Sequence, residues 1–358
     1  MDNFESGNHI QKYRQPAFQE TKLGWIVGGE LHITCQPTSL NCLLLTEDLD
    51  EKLEQFWKIE EVHTQKKKQI QQDFCEIHFS KTHTRDREGR FIVELPKDDK
   101  VKLGDSFEQA LRRFKSLERR LEKNAELKKE YTELLQDYEN QGHMSQIQDE
   151  EDETTHQVYY IPHQPVIRES SVSTKLRVVF DVSAKTSLGT SLNDMLLPGP
   201  NLQNDLVQIL FRFRTWRYII TGDVAQMFRQ IYVSKLDRNL QRILWRKNPG
   251  DPIQIFILNT VTQGTANAPF LAMRCLRQIS LEARAEFSRA AEAMEDDFYM
   301  DDFLSGANLL QEAIELQEQV STLSESGKFC LRKWRANDKR ILQHIKDSEK
   351  TDELLILD

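Results

Sequence analysis

Apolar positions along this chain change their period near residue 158. Before it they recur mostly at helical spacing; beyond it they come in short β-branched runs broken by turns. The early exceptions are two short strands. Leu23 to Gly29 is one, closed by glycines, and it is too short to stand alone. Nothing upstream of it reads as long enough to pair with it. Arg90 to Pro96 is the other, alternating in polarity, entered from Gly89 and stopped by proline. Between these strands, Leu49, Leu53, Phe56 and Ile59 predict an amphipathic helix from Thr46 to Val62, followed by a polar Lys/Gln-rich link over Thr64 to Gln72. From Ser106 to Asn140 the pattern is strongly helical. Phe107, Leu111, Phe114, Leu117 and Leu121 make one apolar face, with Ser106 and Gln109 as a capping box and Asn124 capping a second helix that ends near Gly142. A coiled coil there would need more sustained heptads than the sequence holds. The acidic run Gln148 to Glu153 reads as an exposed linker.

In the second half the spacing predicts strands over Lys175 to Val182, Tyr218 to Val224 and Ile253 to Asn259. It predicts helices over Asn201 to Phe213, from about Pro269, and over Asn308 to Ser326, with turns at Pro198-Gly199-Pro200 and Gln263-Gly264-Thr265. This order fits an α+β sheet domain backed by helices.

Composition narrows the class. The 358 residues carry a formal charge of −9, which argues against a uniformly basic nucleic-acid binder. Locally the balance reverses: Arg168 to Gly250 holds 13 Lys or Arg against 6 Asp or Glu. That excess suits either phosphate or an ordinary solvated surface. No apolar run is long enough to span a membrane, and the N-terminus lacks the basic-then-apolar pattern of a signal peptide. An intracellular, cytoplasmic location with no membrane partner is the expectation, with a virus-like particle or the nucleus as alternatives. Five cysteines without a Cys-x-x-Cys pair predict reduced thiols, and neither a disulfide scaffold nor a zinc knuckle.

The densest chemistry lies in Phe298 to Leu304, where Asp301 and Asp302 sit at the turn of a tight hairpin between apolar arms. Adjacent carboxylates at the rim of a core repel each other and resist desolvation, so a cation is expected beside them. A divalent metal is the simplest one; an acidic surface turn is the plainer reading. Asp223 ends a buried strand, and pairing that strand with the hairpin would bring three carboxylates to one end of a sheet. Two shared divalent ions could then activate a hydroxyl and stabilise a leaving pyrophosphate.

Tyr299-Met300-Asp301-Asp302 is similar to the signature of reverse transcriptases, and the chain resembles Pao/BEL-type LTR retrotransposon polyproteins over most of its length. The resemblance implies reverse transcriptase-like fingers and palm over 158–340, with Leu192-Asn193-Asp194 and Leu197-Pro198-Gly199-Pro200 as fingers turns. Residues 1–34 are similar to the C-terminal end of a retropepsin-like protease. Residues 35–157 resemble a connector and a largely helical lead-in with an acidic linker, and 341–358 a truncated end before primer grip and thumb. It implies RNA-directed DNA polymerase activity with two Mg²⁺ or Mn²⁺ ions, acting on an RNA or DNA template-primer and deoxynucleoside triphosphates. Asp223, Asp301 and Asp302 match the catalytic, metal-binding carboxylates. Tyr299 and Met300 belong to the signature, and Phe228 matches an aromatic gate against the ribose 2′-hydroxyl. Lys175 and Arg177 match fingers cations for the triphosphate, and Gln263 and Gly264 match the block lining the nucleotide pocket. Lys333 resembles the late palm lysine near the pyrophosphate, with Lys328 competing for that role.

The departures define the alternative. No Asp-Ser-Gly or Asp-Thr-Gly triplet occurs, so the protease-like segment lacks its activating Asp. Expected beyond Asp358 are the thumb and ribonuclease H. A catalytically silent, truncated remnant that only binds nucleic acid or a protein partner therefore stands beside the polymerase reading, and oligomeric state is left open.

Overall fold

The computed structural model describes strand residues 9–10, 17–21 and 24–28, and residues 63–147, 157–167, 176–346 and 349. The chain divides into two compact units, Met1–Gln65 and Lys66–Asp358. In the first, β1 (His9–Ile10), β2 (Ala17–Thr21) and β3 (Gly24–Gly28) form an antiparallel sheet in the order β1-β2-β3. The strand at Leu23 to Gly29 therefore does have an upstream partner: Phe18 pairs with Val27 and Glu20 with Trp25. The expectation missed it because Ala17–Thr21 mixes polar and apolar residues without the β-branched enrichment that marks a strand. The helix expected over Thr46 to Val62 lies outside the described residues, as does the acidic run.

The helix α1 (His63–Thr82) begins just before the boundary at Gln65 and runs on into the second unit. The polar link expected at Thr64 to Gln72 is thus helical. Lys and Gln are good helix formers, and Cys75 and Phe79, four residues apart and buried, dock the helix on the core. After β4 (Thr84–Arg85) and β5 (Phe91–Val93) come α2 (Phe107–Glu122) and α3 (Ala125–Asn140). Their buried residues, Ala110, Phe114, Leu117 and Leu121 on α2 and Leu127, Tyr131, Leu135 and Tyr138 on α3, keep helical period. Asn124 caps α3 by accepting from Leu127 N at 3.0 Å. Ser106 and Gln109 do not form a capping box: Ser106 Oγ accepts from Tyr160 N at 2.9 Å instead, and Asp105 takes the Phe107 N–H. A tertiary bond has displaced the local one.

Two small sheets and a hairpin follow from the β-rich half. β6 (Met144–Gln146), β11 (Arg242–Trp245) and β12 (Gln254–Leu258) make one sheet in the order β11-β12-β6. β10 (Tyr232–Val233) pairs with β5, and β7 (His163–Ile167) pairs with β8 (Leu176–Phe180). His163 is buried among Tyr131, Phe114 and Trp245, which ties β7 to both helices. A single turn, α4 (Leu192–Met195), carries a Ser191/Asp194 capping box. Then α5 (Leu206–Thr215) starts later than the apolar pattern suggests, because Asp205 caps it through Val207 N at 2.8 Å.

The principal sheet has the order β13-β14-β9-β15, built from β9 (Tyr218–Val224), β13 (Phe298–Tyr299), β14 (Asp302–Ala307) and β15 (Leu331–Ala336). All its pairings are antiparallel. Packed with it are α6 (Ala268–Ala283), α7 (Ser288–Asp296) and α8 (Leu310–Ser326), and the core between them holds Phe298, Phe303, Phe329 and Trp334. The architecture is mixed α+β, with small antiparallel sheets and helices. Among the described residues no helix is long and apolar enough to cross a membrane.

Candidate active site at the acidic hairpin

β9 alternates, with Ile220, Gly222 and Val224 buried, so Asp223 falls on the open side between Gly222 and Val224. The register then fixes its neighbour: Asp302, the first residue of β14, lies directly opposite Asp223. Directly opposed residues in an antiparallel pair project to the same face. Asp301 stands in the turn, and its carbonyl accepts from Val224 N at 2.8 Å, tying the turn to the end of β9. Three carboxylates thus gather at one sheet end although about eighty residues separate Asp223 from the other two.

Like charges crowd there. Partial burial, then Asp301, then Asp223 hold the Asp302 carboxyl above its ordinary pKa, and Lys333 opposes them. Lys333 Nζ donates to Asp223 Oδ2 at 3.1 Å. One ammonium against three carboxylates leaves an excess of negative charge that suits divalent cations, and carboxylate oxygen is the donor type such ions take. In the present rotamers, among the described residues, no three Asp, Glu, His or Cys side chains already converge as a ligand set. The fit therefore rests on charge and donor type.

The hairpin turn is held from outside. Met300 has φ 54°, the left-handed conformation that a non-glycine residue adopts only when held. Gln203 holds it: Oε1 accepts from Met300 N at 2.9 Å, and Nε2 donates to Met300 Sδ at 3.5 Å. At the base of the hairpin, buried Asp297 accepts from Arg212 of α5 at 3.1 Å and from Ser305 Oγ at 2.6 Å. Burial is the largest influence on Asp297 and raises its pKa; these two bonds oppose it.

A cavity of about 300 Å³ opens beside the carboxylates. Asp223, Asp301, Met300, Arg177, Phe228, Gln263 and Lys333 all line it. Phe228 follows a left-handed Gln226 on a short 3-10 turn and packs partly against the core. Gln263 is presented by a turn in which Gly264 has φ 104°, and Asn193 clamps that turn by donating to Gly264 O at 3.0 Å and accepting from Ala266 N at 2.8 Å. Tyr299 pairs with Asp302 across the hairpin, away from the cavity lining. Lys175 lies outside the described residues. Of the two competing lysines, Lys333 reaches the cavity, because a β-bulge between Arg332 and Arg335 and a φ of 54° turn it toward Asp223. Lys328 pairs instead with Glu88 at 3.5 Å.

Gln203, Arg212 and Arg229 carry no signal in the sequence pattern. Asn193 and Asp194 were visible as a turn motif, but the bond from Asn193 to Gly264 spans 71 residues. Local spacing carries no trace of such a contact.

This is the site of a mixed α+β domain with clustered carboxylates at a hairpin turn and cations across a cavity. Residues 168–334, somewhat less than half of the chain, match the family described as reverse transcriptase (RNA-dependent DNA polymerase). Comparison with curated proteins finds no match. Among solved structures, a foamy viral protease-reverse transcriptase in complex with RNA/DNA hybrid is similar, with TM-score 0.44 and 15% identity, over 58% of this chain and 24% of that one. The dRH form of the foamy viral enzyme in complex with ds DNA gives TM-score 0.38 and 16% identity, over 58% of this chain and 32% of that one. The chain thus spans less than a third of the foamy viral chains it resembles.

Proposed function

We propose that this chain carries the fingers and palm of an RNA-directed DNA polymerase from a Pao/BEL-type retrotransposon, extending a primer 3′-hydroxyl on an RNA or DNA template. The observation that carries this reading is the register of β14 on β9. It sets Asp302 opposite Asp223 and puts Asp301 beside them, at the mouth of a cavity lined by Arg177, Lys333, Phe228 and Gln263. The match of residues 168–334 to the reverse transcriptase family supports it.

In this reading Asp223 and Asp301, with Asp302 next to them, hold two Mg²⁺ or Mn²⁺ ions, which when bound lower the pKa of the attacking hydroxyl and stabilise the leaving pyrophosphate. Lys333 must leave Asp223 for the metal-bound state and is then free to meet phosphate. Arg177, exposed on β8, offers a planar fork for the triphosphate. Phe228 presents a ring that clashes with a 2′-hydroxyl. Gln203 and Asp297 keep the turn where the reacting atoms need it. The small sheet at residues 9–28 is assigned to the end of the protease, and the working location to the cytoplasm.

A second reading, a catalytically silent chain that binds nucleic acid, draws on the Lys333–Asp223 ion pair, since an ammonium already occupies one of the ion's ligands. Primer extension with Mg²⁺ or Mn²⁺ separates the two. Incorporation that is lost in Asp301→Asn, with duplex binding retained, supports the polymerase. Duplex binding without incorporation in either metal supports the silent reading. In an active chain, Phe228→Ala should raise ribonucleotide use relative to deoxyribonucleotide by roughly 10-fold or more. An unchanged ratio would make Phe228 a packing residue only.

A further inference from the structure

Arg229 lines the same cavity and has no part in the assignments above. Its guanidinium carbon sits over the ring of Tyr138 of α3, 3.6 Å from the centroid, with the Phe180 ring of β8 at 5.9 Å. Three other arginines of this unit meet acids. Arg212 reaches Asp297, Arg246 grips Glu118 through two nitrogens, and Arg274 reaches Glu76. Arg238 donates to Val233 O and Asn259 Oδ1. Arg229 makes no ion pair among the described residues. Burial lowers its pKa, opposed by Tyr138 through its charge and a side-chain hydrogen bond, and among the described residues no acid neutralises this cation. Its neighbour His143 is held down to about 4, by burial first and then by Arg229 and Arg90, and stays neutral near pH 7.

A desolvated guanidinium without a counter-charge is unfavourable until an anion arrives, and the N–H groups that do not bond the Tyr138 side chain are left to receive one. Of the carboxylates lining the cavity, Asp223 pairs with Lys333 and Asp301 makes no ion pair with Arg229. We propose that Arg229, fixed on the ring of Tyr138, is an anion seat in the cavity wall that takes a phosphate oxyanion from the molecule bound there. The seat deepens the polymerase reading by adding a cation on the side of α3, apart from the fingers cation Arg177 and the palm cation Lys333. A phosphate could come from the triphosphate of an incoming nucleotide or from the backbone of a bound strand, and the chemistry at Arg229 is the same.

The test uses the full chain, wild type, Arg229→Gln and Arg229→Lys. Each is titrated with inorganic tripolyphosphate, with deoxythymidine triphosphate in Ca²⁺, and with a template-primer duplex. The seat predicts that Arg229→Gln weakens tripolyphosphate binding about 10-fold and that Arg229→Lys recovers part of the loss, since it keeps the charge and gives up the fork. If the nucleotide supplies the phosphate, triphosphate affinity falls and duplex affinity holds. If the strand supplies it, duplex affinity falls and its salt slope drops by about one. Should Arg229→Gln fail to fold by circular dichroism, Arg229→Lys carries the test: full wild-type affinity for all three probes would overturn the seat. A wild-type chain that binds none of the probes would overturn it too. Arg229-dependent tripolyphosphate binding in a chain that never extends a primer keeps the seat and removes the polymerase. Primer extension with affinities indifferent to Arg229 does the reverse.

Discussion

Asp302 is the residue at which charge and fold meet. Its carboxyl is held above the ordinary range by burial, Asp301 and Asp223, so the folded state takes up its proton more readily than the unfolded state does. The sign follows: any stability linked to this group is complete below the ordinary carboxylate pKa and is lost as pH rises through the raised one. Asp302→Asn in metal-free buffer should therefore raise Tm at pH 7, by about 2 °C, and the gain should vanish near pH 3. Mg²⁺ or Mn²⁺ should raise Tm of the wild type and do so less in the variant. A variant that melts below the wild type at pH 7 without metal would mean that Asp302 is held by favourable bonds and not by like charges.

At the level of elements, the hairpin depends on how closely β14 approaches its neighbours. A Cβ on Gly306 would sit 2.4 Å from Tyr218 O and 2.7 Å from Trp216 Cβ. Gly306 pairs with Ile219 on β9, four positions from the Asp302–Asp223 pair, so relief of that clash has to move β14 along its length. Gly306→Ala should destabilise the fold by about 2 kcal/mol in urea denaturation, and on the polymerase reading proposed above the loss should extend to nucleotide binding. At Gly199, φ 72° and the Phe270 ring 2.4 Å from a would-be Cβ explain why the Leu197-Pro198-Gly199-Pro200 turn closes against α6. Glycine was legible there as a turn residue; the ring that it accommodates was not.

For the molecule as a whole, two buried histidines set an acid limit. His143 and His163 are each held down to about 4, chiefly by burial. A depressed histidine contributes stability that is complete above its unfolded pKa of about 6.5 and lost as pH falls toward the folded value, on the order of 3 kcal/mol each. The urea midpoint should fall steeply between pH 6.5 and 4 and level off below. His143→Gln should flatten part of that fall; a profile unchanged by it would mean that His143 is solvated in the folded state. Cys75 and Cys275, also buried, have their thiol pKa values raised and remain protonated throughout this range.

What the sequence determined on its own is what short range encodes: the period of α2 and α3, the Asn124 cap, the extent of β9 and the acidic hairpin between apolar arms. Each of these depends on residues a few positions apart, and their chemistry is written in side-chain type and spacing. Tertiary structure alone decided the rest. It drew Ser106 from a capping box to Tyr160, and made a helix of the polar stretch at Thr64 to Gln72 by docking Cys75 and Phe79. It chose Lys333 over Lys328 through a bulge in β15, and set Asp302 opposite Asp223. It also gave Met300 the support of Gln203, and left Arg229 on Tyr138 without an acid among the described residues. These outcomes follow from register and packing between segments that lie far apart in the chain. Many pairings satisfy the same local pattern, and only the one that buries Phe303 and Trp334 together selects among them.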